Sequence, residues 1–151
     1  MPIRRCATAG IAVLLGTIAL GAVAALPAQE SSAQDPAAVV ERHRLAYNAH
    51  DIDAVMATYS DSVELLRLGI AIPVLTGRAA MRQTLANVVQ AGSHAHFETR
   101  HRAVQGPFVI EELELTGTAE DGQPRTEVLI FEVRGGRIRR VWTVPSAARE
   151  S

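Results

Sequence analysis

Apolar and polar positions divide this chain into one unbroken apolar run, three helical stripes and a series of alternating stretches. From Ala9 to Leu26 almost every residue is Ala, Val, Leu, Ile or Gly, and no charge follows Arg5 until Glu30. Val39/Val40 and Ala46/Tyr47 then recur at helical spacing with His43 between them. Ile52, Val55, Met56 and Tyr59 repeat at i, i+3, i+4 and i+7, one apolar face of a helix. Asp35-Pro36 is a strong start for the first of these helices, which is expected to run to about Ala49. Asp51 caps the second, which Ser60-Asp61 closes. Ser62 to Leu68 alternates as a strand, with Val63, Leu65 and Arg67 on one face. Gly69 to Pro73 reads as a loop, and Thr76-Gly77-Arg78 opens a third helix carrying Met81, Leu85 and Val88, stopped by Ala91-Gly92-Ser93.

Beyond that point the pattern is all strand: His96–Val104, Phe108–Thr116, Arg125–Arg134 and Arg137–Val144. Gln105-Gly106-Pro107, Gly117 to Pro124 and the tight Gly135-Gly136 hairpin separate them. The expected fold is α+β: a cone-shaped, curved antiparallel sheet with three helices from the N-terminal half packed on its concave face.

The apolar run changes the picture of the N-terminus. Arg4 and Arg5 form a positive leader before it, and Pro27 with small residues follows, the make-up of an export signal cleaved after Ala28 or Ala33. A retained membrane anchor is the alternative, since about 18–20 apolar residues can span a bilayer. Arg4-Arg5 matches a twin-arginine signal only poorly, because Cys6-Ala7-Thr8 follows. The organisation is therefore a signal peptide over 1–28, a linker over 29–34, one domain over 35–145 and a tail over 146–151. The expected location is periplasmic or extracellular, with no membrane contact after cleavage.

Cys6 is the only cysteine, and there is no lysine. The mature domain thus has no thiol for disulfides, nucleophilic catalysis or zinc, and no amine for a Schiff base. Losing Arg4 and Arg5 from 15 cations against 16 acids, with Glu30 also lost if cleavage follows Ala33, leaves a net charge of −2 to −3. That balance offers no field for nucleic acid. The cluster Arg134, Arg137, Arg139 and Arg140 reads as a solvated strand end, and Glu111, Glu112 and Glu114 as a solvated sheet edge or dimer rim. His94, His96 and His101 do not share a strand face by simple alternation, so no metal centre is expected, and no cofactor.

The element order agrees with local motifs. Tyr47-Asn48-Ala49-His50-Asp51-Ile52-Asp53, then Tyr59-Ser60-Asp61-Ser62-Val63, then Thr76-Gly77-Arg78-Ala79-Ala80-Met81 resemble the SnoaL-like and ketosteroid-isomerase-like pattern of the nuclear-transport-factor-2-like superfamily. The resemblance runs from about Pro36 to Val144. It implies a pocket inside the cone and pairing of two copies through the convex sheet face. It also implies that the isomerase's tyrosine oxyanion donor falls at His43, its aspartate base at Arg67 and its protonated aspartic acid at Leu129. An arginine cannot take up a proton at physiological pH, and a general base is indispensable to that isomerisation. Ketosteroid isomerisation is therefore not expected.

The pocket candidates are His43, Tyr47, Tyr59, Arg67, Glu127, Leu129 and Trp142. Arg67, if inward-facing, pairs internally with Glu127, snorkels to the rim, or holds a ligand carboxylate or enolate in its guanidinium fork. His43 is either a hydrogen-bonded core residue or an acid–base group titrating near neutrality. Tyr59 continues the core stripe, and Trp142, alternating with Ile138, Arg140 and Val144, reads as a core or pocket-wall aromatic. Two functions stay open: a small-molecule pocket for an apolar or anionic ligand, with cyclase, dehydratase or isomerase chemistry within reach, and a non-catalytic dimerisation module.

Overall fold

The computed structural model describes residues 34–90, 94–117 and 123–144. The proposed signal, most of the linker, the Ala91-Gly92-Ser93 stop and the tail lie outside the described residues. Helix α1 (Pro36–Asn48) starts where the sequence places it: Asp35 accepts from the Ala37 amide at 3.2 Å, and Pro36 fills the first turn. It ends in a Schellman turn. The amides of His50 and Asp51 reach back to the carbonyls of Tyr47 and Ala46, and His50 adopts φ 55° at the position glycine usually takes. The Asp51 carboxylate then caps α2 (Ile52–Thr58) through the Ala54 amide at 2.9 Å.

Helix α2 stops earlier than its stripe suggests. Tyr59 is already extended and begins β1 (Tyr59–Arg67), so the stripe's last residue reaches the core from a strand. After the loop, a two-residue strand β2 (Leu75–Thr76), which the alternation does not reveal, pairs antiparallel with β1. Helix α3 (Arg78–Gln90) follows, then β3 (His96–Gln105), β4 (Phe108–Thr116), β5 (Arg125–Arg134) and β6 (Arg137–Val144). Both hairpin glycines, Gly135 and Gly136, carry positive φ. Gly117 also has positive φ, and a Cβ there would sit 2.3 Å from the His94 carbonyl oxygen, so the chains cross at that point only because it is glycine.

The sheet order is β2-β1-β6-β5-β4-β3. The last four strands form the expected antiparallel meander, and β1 lies parallel beside β6, making the whole sheet mixed. The helices pack on one face, where Val39, Val40, Val55 and Met56 meet Val63, Val109, Phe131 and Val141. Among the described residues no helix is long and apolar enough to cross a membrane.

Two register shifts decide which side chains face the helices. In β6 an extra residue, Arg139, sits between the pairs Val133–Ile138 and Glu132–Arg140. This bulge turns Val141, rather than Trp142, toward the core beside Ile138. In β3 the shift between Thr99 and His101 has the same effect. Arg102 and Val104 join Phe97 and Thr99 on the inner face, and His101 joins His96 on the outer one, against the simple alternation.

Candidate functional site

The floor of the cone is filled. His43 is buried between the rings of Tyr59 and Phe131, with centroids at 5.0 and 5.8 Å. Thr58 Oγ1 donates to the Val55 carbonyl at 2.6 Å, so it accepts from His43 Nδ1–H at 3.1 Å. That fixes the tautomer and leaves Nε2 to accept from the Tyr59 hydroxyl at 3.4 Å. Burial pushes the His43 imidazole down to about 4 and the Tyr59 phenol up. A neutral ring with both nitrogens engaged is a core histidine, the first of the two readings open from sequence.

Beside it, a charged seam ties α1 to the sheet. Glu111, expected at a solvated edge, is instead almost fully buried on the inner face. Arg102 Nε donates to it at 2.7 Å and the Thr99 hydroxyl at 3.3 Å. Arg102 also holds Glu41, which pairs with Arg44. Those two arginines hold the Glu41 carboxyl at about 2. Asn48 completes the seam: its side-chain amide donates to Phe97 O at 2.8 Å and accepts from Phe97 N at 2.9 Å, so it acts as a strand partner for the edge of β3.

Space for a ligand remains at the open end of the inner face. A cleft of about 380 Å³ is lined by Leu65, Arg67, Val74, Glu127, Leu129 and Thr143, together with Val128 and Val144. Three sequence candidates, Arg67, Glu127 and Leu129, meet there. The sheet register explains why: Arg67 pairs with Thr143, Thr143 pairs with Leu129, and Glu127 is the next inner-facing residue of β5. Arg67 is exposed at the rim and forms no ion pair with Glu127. Tyr47 adjoins the site: burial, then the Glu127 carboxylate, raises its phenol. Its ring stacks edge-on with Phe97 at 4.7 Å. On its other side, Tyr47 helps enclose a second cavity of about 20 Å³, lined by Ile52, Val55, Leu85 and Val88. That is room for about one water molecule and too little for a ligand.

Trp142 is not at the cleft. It lies on the outer face of the sheet, paired with Leu66 and Ile130 and 6.3 Å from the Phe108 ring. The arginine cluster is engaged locally. Arg134 and Arg140 hold Glu132, Arg140 also holds Glu64, Arg137 caps the Ala57 carbonyl, and Arg139 reaches Ser62. Among the described residues no three His, Cys, Asp or Glu side chains converge as a metal site.

An α+β cone with a filled floor and an open charged mouth is thus the class of protein. The SnoaL-like domain model matches residues 40–141, and the chain belongs to the SnoaL-like family. The fold recurs in a cystatin-fold protein of Novosphingobium aromaticivorans, with TM-score 0.65, 23% identity and coverage of 73% of this chain and 97% of that one. It recurs in a provisionally assigned ketosteroid isomerase of Kribbella flavida (TM-score 0.63, 16% identity, covering 80% and 83%). An LEH-like epoxide hydrolase of M. tuberculosis is similar as well (TM-score 0.60, 20% identity, covering 76% and 82%). At these identities the likeness is one of fold. No curated protein matches in sequence.

Proposed function

We propose that this chain is an exported small-molecule pocket protein that seats an apolar ligand with an anionic group in the Arg67 cleft. The observation that carries the reading is the cleft itself, whose volume falls in the range of ligand sites, about 300–1,000 Å³. Leu65, Val74 and Leu129 line the cleft with a rim guanidinium that no described side chain neutralises, and its planar fork suits a carboxylate or enolate. Binding is favoured over acid–base turnover by His43, because the group at the superfamily's catalytic helix position is locked in the core.

A mature protein purified gently from the exported fraction is expected to carry a mass excess in native mass spectrometry that disappears on denaturation. Arg67→Leu is expected to lose it. An adduct of unchanged mass in Arg67→Leu would move the ligand elsewhere, and adduct-free spectra throughout would leave the cleft without an occupant.

A second reading, compatible with the first, rests on the outer sheet face. Leu66, Phe108, Ile110, Val128, Ile130 and Trp142 form an apolar patch there, with Ile110 39% exposed. Such a patch marks an interaction surface. Flanking pairs of both signs, Arg100–Glu114 and Arg140–Glu64, suit a self-complementary contact with a second copy. Sedimentation velocity is expected to show a dimer that Trp142→Glu converts to a folded monomer. A wild-type monomer at tens of micromolar would dismiss this reading.

A further inference from the structure

The cleft holds two opposite charges that do not neutralise one another. Elsewhere the charges of this domain are largely spent on each other: Arg44 and Arg102 hold Glu41, Arg102 also holds Glu111, and Arg140 holds Glu132. Arg67 and Glu127 have no hydrogen bond or ion pair with any described side chain. Their positions account for this. Strand β6 runs between them, with Thr143 paired to Arg67 on one side and to Leu129 on the other. With strands about 4.8 Å apart and about 3.4 Å per residue along β5, their Cα atoms are separated by roughly 12 Å. The pair could close only with both side chains stretched flat over Thr143 and Leu129, and it stands open.

Between the charges lie Leu129 and Thr143, while Leu65 and Val74 flank Arg67 on the side away from Glu127, next to a lip whose Leu68, Ile70 and Ile72 are exposed. A ligand with one charged end would satisfy Arg67 and leave the Glu127 carboxylate facing its apolar tail, which desolvates an acid without a partner. A ligand with a cation at the far end satisfies both.

We infer that the cleft selects two-ended amphiphiles: a carboxylate on Arg67, a short apolar middle over Leu129 beside Thr143, and an ammonium group on Glu127. This rests on the cleft being the binding site. Thr143, whose hydroxyl lies near the Leu66 carbonyl at 3.4 Å, sits under the middle of such a ligand. Glu127 also lies near Tyr47, whose phenol is raised by burial and then by the Glu127 carboxylate.

The test uses the mature, ligand-stripped protein in isothermal titration calorimetry at low ionic strength. The probes are 6-aminohexanoic and 8-aminooctanoic acids, with octanoic acid and octylamine as one-ended controls. One of the amino acids is expected to bind about fivefold to tenfold tighter than either control, and to lose that advantage in salt. Glu127→Gln should bring it down to the level of octanoate, and Arg67→Gln to the level of octylamine. Both side chains lie at the cleft surface, so unchanged thermal midpoints are expected to show that the variants are folded.

Octanoate binding as tightly as the amino acids, with Arg67→Gln weakening both, would overturn the two-ended inference and leave the anionic-ligand reading standing. Equal binding of the amino acids by wild type and Glu127→Gln would overturn it in the same way. No binding by any probe overturns it as well, while the pocket reading itself is decided by the co-purified adduct and its response to Arg67→Leu.

Discussion

Arg102→Met is expected to destabilise the domain by about 3 kcal/mol in urea unfolding, because it strands a buried carboxylate. Glu111 is 1% exposed and faces the helices between Val109 and Leu113. Without Arg102 its one remaining side-chain hydrogen bond is to the Thr99 hydroxyl, and a buried polar group left short of partners is costly. Adding Glu111→Leu is expected to restore most of the loss. The new side chain joins an apolar row, and its cross-strand neighbour Leu129 is apolar too. The remaining cost is the Glu41 contact, which is partly exposed and retains Arg44. The four proteins form a double-mutant cycle, with an expected coupling of about 2 kcal/mol or more. Arg102→Met unfolding within 0.5 kcal/mol of wild type, roughly the scale of an ordinary surface change, would show that Glu111 is not held by this pair.

Acid is expected to unfold the protein through His43 in a window set by its burial. The folded-state value lies at about 4, against 6.5 for the free ring, with desolvation as the cause. Between those values the unfolded chain binds a proton that the native core refuses, so stability falls as pH drops from about 6.5 to about 4. Above 6.5 the ring is neutral in both states and the full stability is present. At about 1.4 kcal/mol per pH unit the total loss is about 3 kcal/mol. Glu41 acts lower: its value is depressed to about 2 by Arg44 and Arg102, so its contribution is present above 4.5 and is lost as pH falls toward 2. Unfolding curves collected from pH 4 to 8 should therefore show a slope below 6.5 that His43→Gln removes, at the cost of lower stability at pH 8. A variant with the same slope as wild type would assign the acid sensitivity to another group.

The sequence carried the local devices well. Asp35-Pro36 and Asp51 mark the starts of the two N-terminal helices because capping depends on neighbouring backbone groups alone. Gly135-Gly136 fixes the last hairpin because the turn needs positive φ at both positions. Strands β4 to β6 keep the bounds their alternation suggests. The resemblance in Tyr47-Asn48 through Met81 led to the family that the domain match establishes. Asn48 shows what a motif hides: its pattern was readable, but its work as a strand partner for Phe97 joins residues 49 positions apart.

What the sequence determined by itself is the order of elements, their caps and turns, the family, and a histidine on an apolar helix face. Only the tertiary structure decided which candidates meet. One extra residue in β6 reverses its alternation, so Trp142 faces outward although it shares parity with buried Ile138. Glu111 shares parity with Val109 and Leu113, yet its burial depends on Arg102 arriving across a bulged β3. Arg67 and Glu127 share a cleft because β1 docks parallel against β6, a pairing between segments some 75 residues apart. Periodicity records a residue's phase along its own strand; the bulge and the neighbouring strand determine which face that phase becomes.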